Sequence, residues 1–369
     1  MIKILILADP NSPHTVKWVT SLAKTDFELC ICGLTSAKHD LFDSFKNITD
    51  YSLDMKLSNK EVEKSKFSKL RYIKSIRQLR RVIKTCKPDI LHAHYATSYG
   101  LLAVLMNFHP CVISVWGSDV YDFPKVSYLH KALFKFILNR ADKLLSTSKV
   151  MAGETQKYTS RRIEVTPFGI DLNLFHRTEG KRLFNKDDFV IGTIKNLEKV
   201  YGIDVLIKAF KILKDKYSEK PLKLLIVGSG TYEPDLKNLV KSLNLGNDTV
   251  FTGRIENNIT PIYYSMMNAA VFLSARESFG VSAIEAAACN VPVIVSEARG
   301  FTEVFENNVT GLIVKLDNAA EAAAAVEKIL LNKELAVLLG EAGRRKVIDN
   351  YDWKNNFEKV LTIYKEISG

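Results

Sequence analysis

No apolar stretch in these 369 residues approaches the length of roughly 18–20 residues that a membrane-spanning helix needs. The start, "MIKILILADP", turns polar too soon for a signal peptide and reads as a first strand. Cysteine is scarce. Five residues at 30, 32, 86, 111 and 289 make an odd number with no second ligand pair, so neither a disulfide framework nor a zinc site is indicated. Reduced core cysteines in a cytoplasmic protein are the expectation. Short repeats are absent, and the one biased tract, "AAEAAAA" (319–325), is a strong helix former. The stretch "GSGTYEP" (228–234) lacks the third glycine of a dinucleotide-binding turn, because Glu233 stands at its place; its two glycines are expected to form a ligand-side turn instead.

Acidic residues are short in one half. Residues 1–180 hold 27 Lys and Arg against 17 Asp and Glu, whereas residues 181–369 hold 25 against 24. The excess concentrates in window 56–87, where 12 basic residues face only Glu61 and Glu63. Such asymmetry points to an anionic surface as partner.

Strand-like and helix-like segments alternate along the whole chain. "IKILILA" (2–8), "FELCICGL" (27–34), "DILHAH" (89–94), "CVISVW" (111–116) and "KLLSTS" (143–148) are apolar runs of strand length. Ser12-Pro13 offers an N-cap and a first helical residue, followed by Val16, Val19, Leu22 and Ala23 at helical spacing. The pattern restarts with "FVIGTI" (189–194), "LKLLIVG" (222–228), "TVFTG" (249–253), "AAVFLS" (269–274) and "VPVIVS" (291–296). Between the first two of these, "GIDVLIKAFKILKDK" (202–216) carries Val205, Leu206, Ala209, Phe210 and Leu213 on one stripe. The fold class is α/β: two Rossmann-like doubly wound domains facing a central cleft. An N-terminal domain is expected over 1–170, a linker over 171–185, a C-terminal domain over 186–350, and a closing helix over 351–369.

The densest chemistry lies in "SARESFGVSAIEAAACNVPVIVSEARGFTEVFENNVTGLIV" (274–314). A strand ends at Ser274, a polar turn carries Glu277 and Gly280, and a helix runs on to about Cys289. The amides of Gly280, Val281 and Ser282 then lie at the positive end of that helix, a ready anion site. Glu277 precedes the helix and Glu285 sits in its second turn. With a phosphate at the helix start, the two carboxylates are placed to receive sugar hydroxyls on either side of it.

This stretch resembles the signature of glycosyltransferase family 4, a retaining group of GT-B fold that uses nucleotide-sugar donors. The resembling residues are Glu277-Ser278-Phe279-Gly280, Glu285, Ala288 to Ile294 and Gly300-Phe301-Thr302-Glu303, with Asn290 in place of the usual glycine. Asn290 is expected to accept a left-handed backbone. "LLIVGSG" (224–230), "VFTGRI" (250–255), the linker-like "FGIDLNLF" (168–175) and "YDWKNNFEKVLTIYKEI" (351–367), which looks like the family's closing helix, extend the likeness.

The resemblance implies a metal-independent hexosyltransferase with no cofactor beyond its nucleotide-sugar co-substrate. Its acceptor would be a glycan or lipid-linked saccharide in bacterial-type surface polysaccharide assembly. Glu285 would hold the donor ribose and Glu277 the transferred sugar. Backbone groups of Ser278, Phe279, Gly280, Val281 and Ser282 would hold sugar and diphosphate. In "GTIKNLEKVYG" (192–202), Lys195 and Lys199 best fill the family's basic positions, one residue out of register. A diphosphate leaving group needs that charge where no metal supplies it. The chain also lacks the D-x-D of the metal-dependent sugar transferases. The competing readings are a nucleotide-sugar epimerase of the same fold and a non-catalytic sugar-binding subunit.

In the first half, Asn11 and His14 of "DPNSPHTV" (9–16) are acceptor-site candidates, with Ser12 beside them. His92 and His94 in "LHAHY" are expected on opposite sides of their strand, His94 at the acceptor and His92 as a structural histidine. "SVWGSDV" carries Trp116 where the family has His in a turn contacting the transferred sugar. An indole offers one N–H and an apolar face but takes no proton. Asp119 is therefore the residue expected on the acceptor hydroxyl, with Glu277 and Lys199 completing the catalytic set.

"FSKLRYIKSIRQLRRVIKTCK" (67–87) places Phe67, Leu70, Ile73, Ile76, Leu79 or Arg80, and Ile83 at helical spacing among Lys and Arg. "YLHKALFKFILNR" (128–140) repeats the mixture. These are basic amphipathic helices suited to anionic lipid. Peripheral attachment to the inner leaflet is expected, and nucleic acid is not, since no base-stacking surface is evident.

Overall fold

The computed structural model describes residues 1–38, 40–53, 68–180 and 183–369, with the backbone alone for 68–73. Phe67, the cationic stretch 56–66 and linker positions 181 and 182 lie outside the described residues, as do the side chains of Leu70 and Ile73. Two compact units emerge, one formed by Met1–Thr166 with Lys359–Gly369, the other by Pro167–Glu358.

The first unit holds strands β1 (Ile2–Leu7), β2 (Phe27–Gly33), β3 (Ile48–Ser52), β4 (Ile90–His94), β5 (Cys111–Val115), β6 (Lys143–Ser146) and β7 (Ile163–Val165). Between them run α1 (Pro13–Leu22), α2 (Ser68–Cys86), α3 (Tyr99–Leu105), the short α4 (Ser118–Tyr121) and α5 (Phe123–Val126), α6 (Tyr128–Arg140) and α7 (Lys149–Thr155). The sheet is parallel, in the order β3-β2-β1-β4-β5-β6-β7. Its central strands are buried on both faces, which is why they read as unbroken apolar runs.

The second unit holds β8 (Phe189–Ile194), β9 (Leu222–Val227), β10 (Thr249–Phe251), β11 (Ala269–Phe272), β12 (Val293–Ser296) and β13 (Leu312–Val314). Its helices are α8 (Ile203–Lys216), α9 (Glu233–Ser242), α10 (Thr260–Met266), α11 (Val281–Ala288), α12 (Arg299–Val304), α13 (Ala319–Leu331) and α14 (Lys333–Tyr351). The strand order is β10-β9-β8-β11-β12-β13, again parallel. The expected stripe of α8 is buried in full. The final helix, α15 (Trp353–Ser368), begins in this unit and ends in the other. In the first unit its Tyr364 is fully buried against Phe27 and His92 and accepts from Trp18 Nε1 at 3.3 Å.

Three strands escape the periodicity reading: β3, β7 and β13. Each lies at a sheet edge; Thr49, Asp50 and Glu164 interrupt the apolar run in β3 and β7, and β13 is only three residues long. Asn290 takes the left-handed backbone expected of it, with φ 63°. The cysteine expectation is corrected for one pair. Cys30 on β2 and Cys86 at the end of α2 form a disulfide, which a separation of 56 residues hides from any local reading. Cys32, Cys111 and Cys289 are buried thiols, each pushed up to about 12, first of all by burial.

Candidate active site

In a doubly wound sheet the crevice opens where consecutive crossovers run in opposite directions, at the carboxyl ends of the two strands involved. In the second unit those strands are β8 and β11, and the loops leaving them are 195–202 and 273–280. Glycines let these loops lie close to their neighbours. A Cβ on Gly228 would sit 1.9 Å from the Lys195 carbonyl oxygen, and one on Gly230 2.3 Å from that of Leu197. The two glycines of "GSG" thus back the loop that carries Lys195. A Cβ on Gly300 would meet the Glu277 carbonyl oxygen at 2.5 Å, so the α12 start props the Glu277–Ser278 backbone from behind.

Within that frame Lys195 Nζ lies 2.6 Å from Glu277 Oε2, with side-chain exposures of 13% and 12%. Ser278 N–H donates to Glu277 Oε1 at 3.2 Å, and Ser274 Oγ to Oε2 at 3.4 Å. Lys195 Nζ also stands 4.7 Å from the ring centroid of Tyr201. In a pair shielded this far, removing one member leaves the other poorly compensated. Gly280 takes φ 86° directly before α11. Ala283 and Ile284 N–H are the first to bond back, to the Gly280 carbonyl at 3.0 and 3.1 Å, so the amides of Gly280, Val281 and Ser282 lead the helix. Phe279 points its ring inward, 2% exposed, against Tyr351. Only its backbone is available to a ligand.

Glu285 is half-buried on α11. The Tyr264 hydroxyl, at the end of a fully buried ring, donates to the Ser282 carbonyl at 2.9 Å and to Glu285 Oε2 at 3.2 Å. Burial, with Glu285 and Cys289 nearby, holds the Tyr264 phenol well above its ordinary range, so it stays a donor. Lys199 is placed differently from Lys195. It is exposed on a 3₁₀ turn, Lys199–Tyr201, with its ammonium 5.9 Å from the Tyr232 ring. Lys195, Glu277, Ser278 and the α11 start are therefore gathered, whereas Lys199 lies towards Tyr232.

In the first unit the crossover direction changes between β1 and β4. His94, the last residue of β4, is 1% exposed, and neither ring nitrogen has a hydrogen-bond partner among the described residues. Its ring lies 4.6 Å from that of Trp116, tilted by 36°, and 5.4 Å from that of Trp18. His14, near the start of α1, meets Trp116 edge-on at 6.1 Å. Burial, joined by the neighbouring His92, holds His94 well below its ordinary pKa; burial, then Lys17, lowers His14 to about 4. Both imidazoles are neutral near pH 7.

The histidine geometry corrects one expectation. His92 and His94 do not face opposite sides: residues two apart in a strand share a face, and the rings lie 4.6 Å apart. His92 is the satisfied structural histidine, its Nε2 bonded to Ser114 Oγ at 2.8 Å and its Nδ1 to the Tyr364 hydroxyl. Asp119 is also corrected. It is fully buried, and its carboxylate accepts from the amides of Gly117 (2.7 Å), Ala96 (2.9 Å) and Trp116 (3.2 Å). It shapes the turn after β5 and has no free oxygen for an acceptor hydroxyl. Asn11 is likewise occupied, since its side-chain amide bridges to Ser36 and Lys38 at 3.0 and 2.8 Å.

Sequence reasoning missed four tyrosines. Tyr201 beside Lys195, Tyr264 behind Glu285 and Tyr364 on His92 reveal themselves only through the tertiary fold. Tyr95, directly after His94, takes φ 81°, and its hydroxyl meets Ser118 Oγ. A bulky residue in that region is uncommon and marks a constrained turn. Among the described residues no group of three or more His, Cys, Asp and Glu could hold a metal ion.

Comparison with known proteins covers both halves. The model described as "Glycosyl transferases group 1" matches residues 176–346, and "Glycosyl transferase 4-like" matches residues 3–148. N-acetyl-alpha-D-glucosaminyl L-malate synthase of Bacillus anthracis is 26% identical over 299 residues, 76% of this chain and 75% of that protein. The capsular polysaccharide biosynthesis glycosyltransferase CapM of Staphylococcus aureus is 30% identical over 207 residues, 56% of this chain and 53% of that protein. The crystal structure of Anabaena HepE in complex with UDP and glucose superposes with a TM-score of 0.78 at 16% identity, covering 99% of this chain and 100% of that one.

Proposed function

The chain belongs to the group 1, family 4-like glycosyltransferases and has their GT-B fold, and from that premise we propose that it moves a hexose-type sugar with retention. The donor is a UDP- or GDP-sugar, and the acceptor is a glycan or lipid-linked saccharide in surface polysaccharide assembly. The observation that carries this reading is the Lys195–Glu277 pair set before the amides of α11. A cation and a helix start suit a diphosphate, and a carboxylate beside them suits sugar hydroxyls. That HepE is described with UDP and glucose, and CapM as a capsular polysaccharide enzyme, supports both halves of the proposal.

In the proposed reaction the bond between the anomeric carbon and the diphosphate oxygen breaks. The acceptor oxygen bonds to that carbon on the same face. The acceptor proton passes to the departing phosphate, so no side-chain base is required. Lys195 exchanges Glu277 for phosphate and, with the α11 amides, stabilises the charge that develops there without a metal. Glu277, released, accepts from the sugar, while Glu285 accepts from the ribose. Lys199 lies near enough in sequence to add charge at the diphosphate, and His14 and Trp116 offer the acceptor a neutral surface, with His94 buried against Trp116.

Peripheral attachment to an anionic inner leaflet is part of the same proposal. In the described part of α2, Leu79 and Cys86 are buried while Lys74, Arg77, Arg80, Arg81 and Lys84 are exposed. Among the described residues no helix is long and apolar enough to cross a membrane.

The test is a panel of UDP-, GDP- and ADP-sugars assayed for hydrolysis and for transfer to saccharide acceptors. Transfer with retained anomeric configuration is expected from one nucleotide class. Conversion of the donor to its epimer without an acceptor, or no turnover with any donor, would replace this reading with one of the two competitors.

A further inference from the structure

The steps from β3 to β4, β4 to β5 and β5 to β6 all run the same way across the first sheet. Right-handed crossovers then place α2, α3 and α6 on one face of it. Leu79, Cys86, Leu102, Phe134, Ile137 and Leu138 from these helices accordingly share one apolar cluster. The outer side of this layer is unusual at the start of α6. Val126, Tyr128 and Leu129 are 66%, 83% and 77% exposed, and Phe136 follows two turns on at 43%. Lys125, Lys131, Lys135 and Arg140 stand exposed among them, and residues 123–141 contain no Asp or Glu. Among the described residues these cations make a single acidic contact, Lys125 to Glu154 at 4.0 Å.

The ridge is held in shape. Ser127 caps α6, accepting from His130 N–H at 3.4 Å and bonding His130 Nδ1 at 2.7 Å. Phe134, Ile137 and Leu138 anchor the helix from beneath, and the Arg140 guanidinium lies over Phe136 at 5.7 Å. Tyr128 and Leu129 therefore project from a fixed corner. A second copy of the chain is a poor occupant, because self-pairing would oppose cation to cation. An anionic bilayer satisfies both features, with lipid phosphates for the cations and acyl carbon for the apolar tips. A tyrosine at the interfacial depth fits the same arrangement.

We propose that Val126, Tyr128 and Leu129 form a wedge that enters the acyl region of an anionic membrane while α2 supplies longer-range attraction. This rests on the membrane reading given above and adds insertion to it. The test is flotation of the full chain with vesicles of phosphatidylcholine alone and of phosphatidylcholine mixed with phosphatidylglycerol, at low and high salt. The wild-type chain is expected to float with the mixed vesicles and to retain part of its binding at high salt. Tyr128→Ser/Leu129→Ser should lower partitioning about tenfold or more and abolish the salt-resistant part. Arg80→Gln/Arg81→Gln/Lys84→Gln should weaken binding at low salt only. Leu129→Trp should gain fluorescence that brominated acyl chains quench, beyond the quenching of the wild-type chain. Unchanged donor hydrolysis in solution checks that the variants are folded. If the wild-type chain floats and Tyr128→Ser/Leu129→Ser floats equally, with Leu129→Trp unquenched, insertion is refuted and the electrostatic attachment stands. Absence of any flotation refutes both. Self-association abolished by Tyr128→Ser/Leu129→Ser, with no lipid effect, assigns the ridge to a second copy and overturns the proposal.

Discussion

Each unit carries a candidate site at the same topological place, beside the strands where crossover direction changes, yet the two are built from opposite chemistry. In the second unit a cation and a carboxylate close on each other at 2.6 Å, ahead of a helix start. In the first unit an imidazole whose two nitrogens have no partner among the described residues is buried among rings and held neutral. The difference separates two tasks. A charged pair already in place can change partners when a charged ligand arrives, with little reorganisation. A neutral, ring-lined wall can receive hydroxyls and sugar faces without competing for the phosphate.

The largest effect should come from breaking the charged half. Glu277→Ala is expected to lower transfer by at least about a hundredfold and Lys195→Ala by a similar factor, measured as kcat/KM with the preferred donor. Normal turnover by Glu277→Ala would remove its assigned role. On the neutral side the sharpest variant is Asp119→Ala, which strips three backbone amides of their acceptor. It should destabilise the first unit by about 2–4 kcal/mol, read as a fall in urea midpoint. A variant as stable as the wild type would show that the turn does not depend on that carboxylate.

A smaller and more specific loss is expected for Tyr264→Phe, which keeps the buried ring but removes the hydroxyl behind Glu285. Donor KM should rise several-fold with kcat little changed, while the variant unfolds near the wild-type midpoint. A fall in kcat at constant KM would argue against a role through Glu285.

The pH dependence should be gentler still. His92 and His14, lowered from 6.5 to about 3 and about 4, bind protons more readily once unfolded. Their contribution to stability is complete above about pH 6.5 and is lost as pH falls towards those lower values. Asp119 is shifted upward by burial, so its contribution runs the other way, weakening as pH rises above the usual carboxylate range. The unfolding midpoint should therefore drop between pH 7 and pH 5, and His92→Gln should flatten that slope. An unchanged slope would contradict the buried neutral state of His92.

Much of this architecture is legible before any coordinates, for a physical reason. Central parallel strands are buried on both faces, so "IKILIL" and "LKLLIV" declare themselves, and Gly280 between Glu277 and Glu285 marks a strand-to-helix turn. Edge strands such as "ITDYS" do not, because half their residues face water or a neighbour the sequence does not name. Polar partners are the least legible. Asp119 and Asn11 look like ligands in one dimension, but their partners are backbone groups: the adjacent Trp116 and Gly117 with Ala96 from 23 residues away for Asp119, and Ser36 and Lys38 from 25 and 27 residues away for Asn11. Tyr264 and Tyr364 act across 21 and 272 residues. The sequence reads Lys195 and Glu277 as two separate ligands of one substrate, whereas the fold pairs them with each other across 82 residues.

The most direct test of the charged site is calorimetric titration of UDP, UDP-glucose, GDP and GDP-mannose into the wild type, Lys195→Ala, Glu277→Ala and the double variant. For the nucleotide that binds, Lys195→Ala should weaken the diphosphate and the sugar nucleotide alike, by about tenfold or more. Glu277→Ala should leave the free diphosphate near its wild-type affinity and erase the extra affinity conferred by the sugar. Wild-type affinity for the sugar nucleotide in both single variants would contradict the assignment of this pair as the donor site.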